Sequence, residues 1–546
     1  MRFAPALVLA CTTFTLAPLA NAAQWYVAPG GLGDGTSPAS AFDTIQKGLD
    51  AAQPGDAVIV AAGTYDESIQ TVRDGTDSAA ITLTAETGAN VVITSSGRVL
   101  RVDHAYFSVR EVVFDGQYGE SDVLDINDGA TGFVLSRSEV RHSGRDCVDM
   151  GAPSDVLIDR CQIHHCLDSR EGRTDAHGVT GGAVRNLTLR DTTVHTFSGD
   201  GIQLDPGREL PGWDGLVIEG CEIRLEPLSQ SENGFPQGTV PGENAVDTKT
   251  NDDAPRANLT ITDTIARGFR GGLISNMAAF NLKENVDVLV DRVTVTDSEI
   301  AFRLRGPGSH PGAWVRLQNA VVYDVDVAVR YEDDIENLRV YNATFGRDIG
   351  SPFVNASSDA SVLDVRNLLL LGDAMPAEGA GSTSNLLATD AFFPTAGYTL
   401  ADNAAAIDAG EAIDGVTHDR AGTERPQGGA VDVGAYEWCE GGCAGNTGGN
   451  AGASTGGGGG TATGGSGGAA GENGTGGTSG DAGAGGSGQG ASAGSAGAPA
   501  PSAGDTSDDG GCGCRAARTP INAWWALMVA GLWLAWRRRR TSIARC

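Results

Sequence analysis

The chain has 546 residues, and 69 Asp and Glu against 38 Lys and Arg leave a formal net charge of −31. That balance excludes nucleic acid as a partner, because binding phosphates takes clustered Lys and Arg. Ten cysteines are few for this length and repeat no zinc-ligand spacing, so neither a disulfide-built mini-domain nor a zinc module fits.

At the start, Arg2, an apolar stretch over 6–19 and the small residues Ala20 and Ala22 read as a secretory signal, segment 1–23, with the mature chain beginning at about Gln24. A lipobox-like Val8-Leu9-Ala10-Cys11 offers an alternative cut, at the cost of a much shorter apolar run. Export permits disulfides, without saying which cysteines pair; some of Cys147, Cys161, Cys166 and Cys221 suit an apolar core equally well.

The folding body is 24–438. Over 41–52, Phe42, Ile45 and Leu49 recur at helical spacing, which predicts a helix laid over the open N-terminal end of a stack of strands. Next come short runs with apolar residues at alternate positions, a strand signal: 133–140, 155–163, 187–194, 216–223, 259–265, 288–295 and 315–322. A second short strand accompanies each, at 123–126, 147–150, 201–204, 245–248, 279–282, 300–304 and 327–330. Units spaced at about 20–35 residues, none able to bury its own apolar side, make a solenoid. The fold expected is all-β, a right-handed parallel β-helix with two or three strands per coil, and a monomer. A β-sandwich would need hairpin turns that the sequence lacks.

After the body, 439–511 is mostly Gly, Ala, Ser and Thr and reads as a disordered tether. The segment 512–546 holds Cys512 and Cys514, an apolar run at 521–536 with Trp near both ends, and four Arg at 537–540. It is expected to carry a transmembrane helix with the Arg cluster cytoplasmic. This three-part order resembles the MYXO-CTERM sorting signal of bacterial surface proteins. The resemblance implies a sorting protease and the membrane as partners, and a cell-surface location.

The segment from Trp25 through Thr44, Pro54 and Tyr65 resembles the opening of pectate-lyase-like β-helix proteins. The closing stretch, from Ala406 through Arg425 to Glu437, is similar to that of many bacterial surface β-helix proteins. The fold hosts lyases, hydrolases, epimerases and binders, so it does not choose an activity.

Stacking the second strands aligns three outward columns: Asp125, Asp149, Gln203, Asp247, Asn281, Arg303, Arg330; then Asn127, Gly151, Asp205, Lys249, Lys283, Arg305; and, at the strand start, Asp122, Asp146, Asp175, Asp200, Glu243. The N-terminal half is acidic, the C-terminal half basic, and they meet near Asp247 and Lys249. Such an arrangement suits β-elimination of an acidic, uronate-containing polysaccharide. There a cation neutralises the sugar carboxylate and a basic side chain takes the adjacent proton. The segment 243–249, with Lys283, Arg303 and Arg305 further along, resembles the active-site coils of family 6 and family 9 polysaccharide lyases. The resemblance implies Ca²⁺ held by Glu243 and Asp247, with Lys249 as base and Lys283 as acid; Asp205 is a further candidate metal ligand, and Arg303 and Arg305 are further candidate catalytic residues. The Asp-Asp pair of family 9 is absent, with 268–272 in its place, and Lys283 stands where family 6 has Arg, a geometric change. Arg270, and Trp213 and Phe235 on the flanking loops, are the candidate substrate contacts, although the two aromatic rings could equally pack the loops to the body. Two other readings stay open. His177 resembles the catalytic His of alginate epimerases but lacks the Pro that precedes it there, and Asp200 with Asp205 could form the carboxylate pair of a hydrolase. A non-catalytic glycan binder is the main alternative.

Overall fold

The computed structural model describes residues 22–443 except 171–174, 208–210, 252, 309–310 and 395–396. Every strand ladder in it is parallel, and the antiparallel contacts are isolated bridges such as Glu232 with Phe235. One sheet has 13 strands, from Gln24–Val27 to Leu363–Arg366. A 23-stranded sheet comprises two further runs, which share the 12-residue strand Thr294–Arg305. Each coil therefore visits a first, a second and a third wall, as in Arg185–Arg190, Thr193–Phe197 and Ile202–Leu204. The result is a parallel β-helix of about 11 turns.

The corner between the first and second walls explains why the stack stays in register. At successive coils Glu111, Arg137, Arg160, Asp191, Gly220, Asp263, Arg292, Asn319, Asn342 and Asn367 all have φ between 46° and 64°. Gly, Asn and Asp take this left-handed conformation readily; Glu and Arg do not. The charged corners are steadied by neighbouring groups: Arg137 Nε lies 2.9 Å from Glu111, and Arg292 2.7 Å from Asp263. The next residue inward is buried at each coil, in the series Val112, Ser138, Cys161, Thr192, Cys221, Thr264 and Val293. Cys161 and Cys221 are thus unpaired core residues, while Cys147 and Cys166 form a disulfide between the third and second walls. Cys439 and Cys443 form another.

Alternate residues of each strand fill the core, with Phe107 over Phe133 and Phe280 over Phe302 at centroid distances of 6.5 and 5.4 Å. At the N-terminal end the helix is Ile45–Ala51, shorter than expected. Thr44 caps it, and the Glu67 carboxylate accepts the free N–H groups of Ile45 and Gln46. Phe42 lies outside the helix and stacks on Trp25 instead. At the other end Tyr398, Leu400, Ala406, Val433 and Ala435 make a second apolar cluster. It is organised around Arg425, whose guanidinium meets Glu437 at 2.5 Å with both side chains essentially inaccessible.

Among the described residues no helix is long and apolar enough to cross a membrane. The segments read as signal (1–21 of it), tether (from 444) and anchor (521–536) lie outside the described residues.

We expect Arg425→Met to destabilise the chain by about 3–5 kcal/mol, because it leaves the Glu437 carboxylate buried without its counter-ion. Chemical denaturation measures this; a change below about 1 kcal/mol would show that the pair does not organise the cap.

Candidate functional site

The third wall carries the outward column that the alternation predicts. Its register is Arg101, Asp125, Asp149, Thr180, Gln203, Asp247, Asn281, Arg303 and Arg330. Thr180, on the three-residue strand Val179–Gly181, is a rung that sequence reasoning missed. Two positions further on, Asp205, Lys249 and Lys283 follow the same strands, and Arg305 pairs in register with Glu332. The strand-start column differs from expectation: its hydrogen bonds run Asp122–Asp146–His177–Asp200–Asn244. His177 takes the place given to Asp175, and Asn244 the place given to Glu243, because the preceding corner loops differ in length. Glu243 is half-buried, and its N–H bonds to the Gly199 carbonyl.

Where the two halves meet lies a buried polar network. Asp200, Gln203, Asn244, Asp247 and Asn281 are each 2–6 % exposed. The Gln203 amide bridges two carboxylates, donating to Asp200 Oδ2 at 2.5 Å and to Asp247 Oδ2 at 3.4 Å. Asn244 donates to Asp200 Oδ1 from both its N–H and its side chain, at 3.1 and 2.8 Å. Asp247 Oδ1 accepts from Asn281 Nδ2 at 2.8 Å and lies 3.2 Å from Lys283 Nζ. Lys249 Nζ donates to Gln203 Oε1 at 3.2 Å and lies 3.4 Å from Asp205 Oδ2. His177 Nδ1 accepts the Asp200 N–H at 2.9 Å, which puts the ring hydrogen of the neutral imidazole on Nε2. Gly199 leaves room for that ring, since a Cβ there would sit 2.6 Å from His177 Nδ1.

Burial and neighbouring charge set the protonation states. Burial pushes Asp247 up to about 6, against the pull of Lys283 and Lys249. Burial works against a charge on Lys249, but Asp247, Asp205 and Asp200 outweigh it and hold the ammonium above its ordinary range. Burial pushes His177 down to about 4, so the ring is neutral at pH 7. In the acidic half, burial and then Asp122 push Asp149 up to about 6.

Arg303, Arg305 and Arg330 converge on Glu332, at 2.7, 3.5 and 3.1 Å. Arg305 also meets Asp333 at 2.8 Å. Three guanidiniums around one carboxylate and a neighbour leave this end cationic. Arg270, at the corner before the third wall, is held by Asp297 and Asp324 at 3.1 and 3.3 Å. Trp213 and Phe235 are 2 % and 6 % exposed. Trp213 donates its indole N–H to the Lys249 carbonyl at 2.7 Å, and Phe235 packs on Leu167, Leu228 and Tyr118. Their rings are spent on packing and present no face to a sugar, so they support the site rather than line it. The structure thus brings together Asp205, Asp247, Lys249, Lys283, Arg303 and Arg305 along one wall. It sets Glu243 and Arg270 at the wall's edge.

The calcium expectation meets a geometric difficulty. Among the described residues no three His, Cys, Asp or Glu groups are arranged to hold a metal ion. Asp247 and Asp205 already face the ammonium groups of Lys283 and Lys249, so the donor set does not form a cage.

Against known proteins, the family model described as Chondroitinase B matches residues 39–130. No curated protein sequence matches the chain. Among solved structures, pectate lyase Pel9A is 17 % identical over 77 % of this chain and 97 % of its own, at a TM-score of 0.42. A rhamnogalacturonan lyase is 15 % identical over 63 % and 87 %, at 0.44. A mannuronic acid-specific family 6 lyase from human gut microbiota is 12 % identical over 67 % and 91 %, at 0.39. The chain is a parallel β-helix, and the Chondroitinase B model matches only its N-terminal coils.

A carboxyl group held above its ordinary value favours the folded state most at low pH and loses that contribution as pH rises through its folded value. For Asp149 the window runs from about 4 to about 6. Relative to the unsubstituted chain, Asp149→Asn should therefore gain roughly 1–2 kcal/mol between pH 4.5 and 7.5. Denaturation at both pH values checks this, and an unchanged difference would mean that Asp149 ionises normally.

Proposed function

We propose that the third wall binds an acidic polysaccharide and cleaves it by β-elimination. The observation that supports this most is the buried Asp200–Gln203–Asp247 network, with Lys249 and Lys283 on it and Arg303 and Arg305 together on the next rung. Buried charge is expensive to maintain, and a solenoid coil does not need it for stacking.

In this reading Arg303, Arg305 and Lys283 receive the sugar carboxylates, which makes the proton on the adjacent carbon more acidic. Lys249, as free amine, takes that proton. The bond from the neighbouring carbon to the bridging oxygen breaks, a C=C bond forms, and Lys283 as ammonium protonates the leaving oxygen. Because nearby carboxylates hold Lys249 protonated in the free protein, the rate should rise towards alkaline pH. The neutralising role goes to the cationic side chains, and no step is routed through calcium.

One observation favours a second reading, a surface protein that binds acidic glycan without cleaving it: Lys249 is held charged by three carboxylates. Anchoring at the cell surface through the C-terminal segment belongs to the proposal under either reading, and cell fractionation checks it.

The test is incubation of the full chain with pectate, alginate or chondroitin, with absorbance monitored at the unsaturated-uronate band. We expect a signal that persists in a calcium chelator, rises with pH, and falls by about 10²–10⁴-fold in Lys249→Ala. Loss of signal on chelation, with recovery on adding Ca²⁺, would restore the calcium expectation. Binding without signal supports the glycan binder, and reducing ends without signal would mean hydrolysis.

A further inference from the structure

The second wall carries a group of imidazoles that the third-wall chemistry does not use. Its outward column reads Asp115, Arg141, His164, His195, Arg224 and Arg267. Beside it, His142 and His165 occupy positions where the strands bend through positive φ. His164 stacks on His195 with ring centroids 4.7 Å apart and meets His165 edge-on at 4.8 Å.

The orientation of His164 and His165 is unusual. Their Nδ1 atoms are 2.6 Å apart. On the far side of each ring, Nε2 faces a carboxylate: Glu139 Oε1 at 3.2 Å from His164, and Glu232 Oε2 at 3.6 Å from His165. A carboxylate only accepts, so the neutral His164 ring keeps its hydrogen on Nε2 and turns its Nδ1 lone pair on His165, whose own Nε2 faces Glu232 at the longer distance. At that separation a proton or a metal ion must lie between the two nitrogens, because two bare lone pairs would repel. The surrounding charge has the matching sign: Asp115, Glu139 and Glu232 carry three negative charges, and Arg141, paired to Asp115 and Glu139, carries one positive. One shared proton would leave this group negative; a divalent ion would neutralise it.

We propose that His164 and His165 clasp a late first-row divalent transition ion, of the Zn²⁺, Cu²⁺ or Ni²⁺ class, through their Nδ1 atoms. Imidazole nitrogen selects these ions over Ca²⁺ and Mg²⁺. Glu139 and Glu232 fix the ring orientation, as carboxylates behind metal-bound histidines do. Bonds of about 2.0–2.1 Å to a tetrahedral ion require the two nitrogens to separate to about 3.4 Å, so the rings open by somewhat under 1 Å on binding. Among the described residues no third group completes the set. The remaining positions therefore take water or an exogenous ligand. Glu232 belongs to the insertion 227–242, whose Asn233 and Phe235 dock on Leu167. The ion thus ties that insertion to the second wall, independently of any activity on the third.

The test is titration of the full chain, carrying no polyhistidine tag, with Zn²⁺ and with Cu²⁺ alone. We expect one ion per chain, two nitrogen ligands in the Cu²⁺ electron paramagnetic resonance spectrum, and a rise in Tm with Zn²⁺. His164→Ala and His165→Ala should weaken binding by tenfold or more. Glu139→Gln and Glu232→Gln, which spare the ligands and guard against a folding defect in the alanine variants, should weaken it by about 10–100-fold. His418→Ala, at an exposed histidine in the C-terminal cap, should bind as the unsubstituted chain does. Absence of stoichiometric binding, or equal binding by His164→Ala and His165→Ala, would overturn the proposal and leave a shared proton as the occupant.

Discussion

Everything chemical in this molecule depends on parallel coils stacking without slipping. Neighbouring strands of a sheet are about 4.8 Å apart, and a slip of one residue would turn every outward side chain inward. The ladder of left-handed corners from Glu111 to Asn367 fixes that register, one corner per coil. It tolerates Arg and Glu where Asn or Gly would be easier, because charged partners on the neighbouring coil or strand hold them. A buried position comes after each corner, so a slip would also place a polar side chain in the core.

Given that register, the third wall becomes an electrostatic gradient. Burial, and after it the neighbouring carboxylates, push Asp122 and Asp149 towards their neutral forms. Further along, Asp247 is shared between Asn281, Gln203 and Lys283, and Glu332 is surrounded by three Arg. The junction at Gln203–Asp247–Lys249 is where the acidic half of the wall gives way to the cationic one, with Lys249 and Lys283 set against Asp205 and Asp247. The second wall solves a similar problem differently, with Arg and His stacked between carboxylates and the insertion 227–242 folded down upon them.

Much of this was legible in the sequence, for a physical reason. Period-two alternation is a local property, and it aligned Asp125, Asp149, Gln203, Asp247, Asn281, Arg303 and Arg330 in their observed order. The corner loops before the third wall have no period. Their unequal lengths misplaced Asp175 and Glu243 where His177 and Asn244 stand, and Val179–Gly181 was too short and too Gly-rich to register as a strand. The burial of Trp213 and Phe235 depends on how loops fold back, which their own residues do not reveal. The pairing of Cys147 with Cys166 joins two walls of the coil and emerges only from the three-dimensional path. The His164–His165 contact had a visible sequence signal, adjacent histidines at a strand end, but its meaning comes from Glu139 and Glu232 on other segments.

The central claim is that far-separated charges share one wall, and a double-mutant cycle on Asp247 and Lys283 tests it most directly. With Asp247→Asn, Lys283→Met and the double variant, stability measurements should give a coupling energy of about 0.5–3 kcal/mol, as for groups in contact. A coupling near zero would mean that the two side chains do not meet, and the proposed site would go with it.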